Sequence, residues 1–139
     1  MVTIKWTDDL ATGIVWVDNQ HKQLIQHVIK FIKAMQEKKA SGEITSTLNF
    51  MEEYIAYHFD TEEKYMVEFS YPGYEEHRME HEILSGNIHV LRAALSRHGI
   101  SAKLEELVRD QLVNWYVDHI GNWDKDFARF LKSKGKSQV

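Results

Sequence analysis

His58 and Glu62 stand four residues apart, and beyond a Tyr71-Pro72-Gly73 break His77 and His81 repeat that spacing. Residues four apart share one helix face, a turn above one another. Two helices joined by so short a break run antiparallel and can turn those faces towards each other. Three imidazoles and a carboxylate then share one interior. Unpaired polar groups are costly there, and a metal ion is a ready partner. A chain built on this stretch is constrained to long helices packed side by side.

The rest of the sequence agrees. The first helix is expected over about 19–38 with Asp18 as its N-cap, and His21, Leu24, Ile25, Val28, Ile32 and Met35 fall on one stripe. The second is expected over about 43–68, with Ile44, Leu48, Met51, Ile55, His58, Glu62 and Met66 facing inward. The third, over about 73–97, carries Tyr74, His77, His81, Leu84, Ile88, Leu91 and Leu95, and Gly99 suits its left-handed cap. Ser101 caps a fourth helix from about 102, lined by Leu104, Val108, Leu112, Trp115 and His119. Asp124 lies five residues past His119, which in a regular helix is roughly 500° of rotation and off the face. Gly121 between them suggests a π-like bulge or a break, with a short final helix near 122–133 and a frayed tail from Lys134 to Val139. Residues 1–17 lack a helical period and read as an ordered arm across the bundle, anchored by Trp6 and Trp16. The expected fold is therefore all-α: an antiparallel up-down-up-down four-helix bundle with an N-terminal arm and a short C-terminal helix, one domain over 1–139.

Composition narrows the chemistry. There are no cysteines, which removes disulfides, thiolate zinc sites, iron–sulfur clusters and cysteine nucleophiles. The net charge of −4 comes without a basic run before the last few residues, so a footprint that could follow phosphates is missing and no nucleic acid is expected. No apolar run approaches membrane-spanning length, and the polar MVTIKWTDDL start is no signal peptide, so a cytoplasmic protein is expected. No long exposed apolar stripe is evident along the chain, which favours a monomer. Eight histidines are many for 139 residues, and position decides their meaning.

Five of them, His21, His58, His77, His81 and His119, join Glu62 and Asp124 on the inner stripes of four helices. Seven donors are too many for one ion. Two metals sharing both carboxylates, and a solvent oxide or hydroxide between them, leave one of about twelve octahedral positions open. Nitrogen and oxygen donors in this ratio suit iron better than manganese or tetrahedral zinc. Ile25, Phe59, Leu112, Trp115 and Trp123 are candidates for an apolar wall around the open position. Glu63 follows Glu62 but is rotated roughly 100° from it, which suits a supporting or surface role better than ligation. His27, His89 and His98 fit no ligand position.

The runs Asp18-Asn19-Gln20-His21, His58-Phe59-Asp60-Thr61-Glu62-Glu63, His77-Arg78-Met79-Glu80-His81 and His119-Ile120-Gly121-Asn122-Trp123-Asp124 resemble the hemerythrin family in its single-domain bacterial form. The resemblance covers nearly the whole chain. It implies two non-haem iron ions joined by an oxo or hydroxo bridge: one bound by His77, His81 and His119, the other by His21 and His58, with Glu62 and Asp124 bridging. It further implies reversible dioxygen binding at the two-histidine iron, for storage, delivery or scavenging, with an oxygen-consuming enzyme as one receiver, and no catalysis. Two other readings compete: an oxygen- or redox-sensing module, and a di-iron oxidase, peroxidase or nitric oxide reductase. The second is disfavoured because oxygen-activating bundles carry more carboxylates, usually in Glu-x-x-His pairs.

Overall fold

A computed structural model describes residues 2–138. Met1 and Val139, the ends of the expected arm and tail, lie outside the described residues. The chain forms helices α1 (Val15–Gln36), α2 (Ser41–Glu68) and α3 (Tyr74–His98), then a fourth rod. That rod comprises α4 (Ala102–Leu107), a π-helical stretch Val108–Asn114, α5 (Trp115–His119), a second π-helical stretch Ile120–Asp124 and α6 (Lys125–Ser133). Backbone angles at every joint of the rod are helical, so α6 continues it without a break. Among the described residues there is no strand.

The turns use one device three times. Lys39 and Lys38 N–H donate to the Ala34 and Met35 carbonyls, each at 3.0 Å, closing α1. Tyr71 and Ser70 do the same to Met66 and Val67 at 2.8 and 3.2 Å, closing α2. Lys136 and Gly135 close α6 onto Leu131 and Lys132 at 2.8 and 3.1 Å. This is the Schellman pattern, which needs one residue in the left-handed region. Lys38 (φ 53°) and Ser70 (φ 56°) occupy that position in the first two turns. In the break after α2 the left-handed residue is thus Ser70, just ahead of the Tyr71-Pro72-Gly73 sequence. Lys136 also sits over the Phe69 ring at 5.2 Å, so the tail from Lys134 is tied back instead of frayed.

The first helix begins four residues earlier than its sequence suggests. Asp18 sits inside the first turn of α1 and its carboxylate reaches back. It accepts from the Thr12 N–H and hydroxyl at 2.8 Å each and from the Gly13 N–H at 3.2 Å. An aspartate in the first turn suits the positive end of the helix dipole, and here it also ties the preceding loop to the helix start. The arm ahead of it packs as expected: Trp6 lies against the main core and Trp16 against Tyr65, with ring centroids 5.3 Å apart. Ser101 caps α4, accepting from the Leu104 N–H at 3.1 Å.

Two apolar clusters fill the bundle. The larger runs through Leu24, Val28, Ile32, Leu48, Met51, Ile55, Leu84, Ile88 and Leu104. The smaller joins Ile14, Val17, Met66, Phe127, Ala128 and Leu131. The inward polar residues lie between them along each rod. One exposed feature departs from expectation: α3 presents Met79, Ile83 and Val90 on an outer line, each more than half exposed. That line is four and seven residues apart in spacing, an apolar stripe on the surface of one helix.

Candidate metal centre

His21, His58, Glu62, His77, His81, His119 and Asp124 are all buried, none more than 3% exposed. An unpaired buried polar group costs roughly 1–3 kcal/mol. Seven of them would offset the whole net stability of a domain, about 5–15 kcal/mol. Their mutual contacts do not resolve this as hydrogen bonds. Nε2 of His77 and Nε2 of His119 stand 3.1 Å apart. Both approach Asp124 Oδ1 at 3.0 Å. The oxygens of Glu62 and Asp124, and Nε2 of His21, His58 and His81, lack hydrogen-bond partners of sound geometry. Lone pairs converge where a proton could serve only one of them, which is the signature of a cation's place.

The donors fall into two overlapping groups. Glu62, His77, His81, His119 and Asp124 bring one atom each within 4.8 Å of one another, and so do His21, His58, Glu62 and Asp124. The two carboxylates belong to both. Asp124 divides its oxygens between them, Oδ2 to His21 Nε2 at 2.7 Å and Oδ1 to His77 and His119. Glu62 Oε1 lies 3.2 Å from His58 Nε2 and 3.5 Å from His81 Nε2. The π-helical stretch Ile120–Asp124 makes this geometry: its widened turn lets Asp124 share the face of His119 despite the five-residue interval. Gly121 is not what forces it, since a Cβ there would meet nothing within 4 Å.

Two imidazoles are oriented from behind. His58 Nδ1 lies 2.6 Å from Gln20 Oε1, and His81 Nδ1 lies 2.7 Å from Glu63 Oε2. Each contact puts the proton on Nδ1 and leaves Nε2 free to ligate. Glu63 therefore supports His81, while Gln20 is a partner that periodicity did not single out. Aromatic rings hold others: Phe59 lies flat on His81 at 3.7 Å, Trp115 on His119 at 4.7 Å, and Trp123 meets His77 edge-on at 5.8 Å. Trp115 and Trp123 thus pack on the three-histidine group. His21 is approached instead by Tyr116, ring centroids 6.2 Å apart at 90°.

Tyr116 is the residue that sequence reasoning passed over. A straight stripe puts Trp115 inward, but the π-helical stretch Val108–Asn114 delays the helix rotation. Tyr116 is therefore fully buried and Trp115 only partly so. The three-residue interval from Tyr116 to His119 was the available signal. The remaining histidines stay apart from the site: His27 stacks on Tyr54 at 5.1 Å, and His89 and His98 are exposed.

The buried charges move one another's pKa values. Burial and the neighbouring Asp124 raise the Glu62 carboxyl, but His58 and His81 outweigh them and hold it at about 2. Burial opposes ionisation of Asp124 too, and His119 and His21 overcome it, leaving its pKa well below the usual carboxylate range. Burial pulls His81 down while Glu62 and Glu63 lift it to about 9. His119 moves the other way, lowered by burial and by His77 and His81 despite Asp124.

The family of hemerythrin HHE cation-binding domains matches residues 12–131. This chain belongs to the hemerythrin family. Its similarity to individual hemerythrins is moderate and broad. It is 28% identical to the bacteriohemerythrin of Pseudomonas paraeruginosa over 92% of this chain and 81% of that one. With the bacteriohemerythrin of Methylococcus capsulatus it shares 28% over 96% of this chain and the full length of the other. With the myohemerythrin of Sipunculus nudus the identity is 29% over 94% and 91%. The buried donor band of this hemerythrin lies within the matched span. No helix among its described residues is long and apolar enough to cross a membrane.

Proposed function

We propose that this protein binds dioxygen reversibly at a pair of non-haem iron ions, as one hemerythrin domain. His77, His81 and His119 hold one ion, His21 and His58 the other, and Glu62 and Asp124 are shared, with an oxo or hydroxo group completing the bridge. The observation that carries this reading is the pair of overlapping buried donor groups with two carboxylates in common. Five imidazole nitrogens and carboxylate oxygens suit iron at six-coordination.

When bound, the iron pair supplies the two electrons that hold dioxygen and return on its release. The protein's own contribution is positional. Gln20 and Glu63 fix the tautomers of His58 and His81, and Phe59, Trp115 and Trp123 lock three imidazole planes. The two-histidine group offers one imidazole fewer, so a ligand from solution finds its place there. Leu24 and Ile25, fully buried one turn along α1 from His21, keep bulk water from that end of the centre. Oxygen binding needs no general acid or base from the chain, and the role is carriage and not turnover.

Iron-loaded protein, reduced anaerobically and then exposed to air, is expected to develop a visible absorption spectrum that vanishes when oxygen is removed. Metal analysis should give two iron per chain. A colourless protein indifferent to oxygen, or one that consumes reductant continuously in air, would overturn the reading.

A further inference from the structure

The expected surroundings of a dry ligand pocket are apolar, yet the residue packed edge-on to His21 is a tyrosine, with a hydroxyl on its ring. Tyr116 is fully buried, and no protein group among the described residues accepts or donates a hydrogen bond at its hydroxyl. Its ring meets the imidazole of the group that has one donor fewer. It lies one turn before His119 on the same inward face of the fourth rod. An ordinary phenol is protonated at neutral pH and is both donor and acceptor. Left without a partner in the interior it is destabilising, by the same reasoning that applies to the seven donors of the centre.

We propose that Tyr116 is a specificity-determining residue: its hydroxyl donates a hydrogen bond to the small ligand bound on the two-histidine side. This deepens the oxygen-binding reading and rests on it. The bond strengthens as the ligand gains negative charge, because hydrogen bonds to charged acceptors are about twice as strong as neutral ones. Tyr116 therefore favours reduced dioxygen and small anions over neutral ligands, and slows their departure.

The test uses iron-loaded wild type and Tyr116→Phe, which keeps the ring and removes only the hydroxyl. Iron content comes first. If wild type takes up no iron pair, the oxygen-binding reading itself fails, and this proposal with it. If both proteins hold two iron, azide titration of the oxidised forms tests Tyr116 alone. The Phe variant is expected to bind azide about ten- to a hundredfold more weakly, as loss of a hydrogen bond to a charged acceptor implies. The bound azide stretch should shift in D2O for wild type and not for the variant. Metal-free Tyr116→Phe should melt no lower than metal-free wild type, since it loses an unpartnered group. Equal azide affinity, a lower melting temperature of the metal-free variant, or a visible tyrosinate-to-iron charge-transfer band in wild type that the variant lacks would each overturn the proposal. The last would make Tyr116 a ligand instead of a donor.

Discussion

Gln20 and Glu63 are not donors of the centre themselves, yet each sets which nitrogen of a histidine faces it. Removing such a partner typically costs about 10–100-fold in metal affinity. Gln20→Ala and Glu63→Ala are therefore expected to lose iron about 10–100-fold more readily to a competing chelator, with circular dichroism unchanged. Equal retention in both variants would show that packing alone orients His58 and His81. Protons give a second handle. In the metal-free protein His81 has its pKa raised to about 9, so it is charged at pH 7. A metal binds only the neutral imidazole, so loading at pH 7 must expel that proton. Calorimetric titration in buffers of different ionisation enthalpy should reveal net proton release on loading. The release should shrink as pH rises through about 9, where His81 has already given its proton up.

The helices show where sequence speaks and where it does not. α2 and α3 were legible because their apolar residues recur at threes and fours, and the polar exceptions at Glu62 and His77 fall on the same face. The π-helical stretch at Ile120–Asp124 was legible because His119 and Asp124 could share a face only if the rod widened between them. The stretch at Val108–Asn114 left no such mark, since no pair of polar residues across it demanded a common face, and so Tyr116 was missed. The start of α1 was misjudged because Asp18 resembles an N-cap, whereas it caps the loop from within the first turn. The exposed stripe on α3 was hidden because Met79, Ile83 and Val90 are scattered among charged, polar and inward apolar residues along the chain.

Capping offers a further prediction. A non-glycine residue in the left-handed region costs roughly 1–2 kcal/mol, and glycine returns roughly 0.4–1 kcal/mol of that as extra freedom when unfolded. Lys38→Gly should therefore stabilise the protein by about 0.5–1 kcal/mol in urea denaturation. Gly99, at φ 64° and ψ −153°, holds a conformation that only glycine adopts comfortably, so Gly99→Ala should shift the midpoint the opposite way.

Across the whole bundle, a polar layer parts the core into a large apolar cluster and a small one. The small cluster joins the start of α1, the end of α2 and α6, and the Lys132 ammonium ties α6 to the Thr12 carbonyl. Metal bound at the layer would tie all four rods together at one level, so its binding free energy would become folding free energy. Stripping the iron with a chelator should lower the melting temperature, and restoring it should reverse the change.

A core interrupted in this way has a bearing on how the molecule breathes. Loaded, the protein should behave as one cooperative unit, with amide hydrogens of α6 and of mid-α2 exchanging by the same global opening. Emptied, it should come apart in stages, α6 and the beginning of α1 exchanging faster than the centre of α2. The ions would then be rivets between two foldons, and the end of the molecule where the start of α1 packs against α6 would be the first to report their loss.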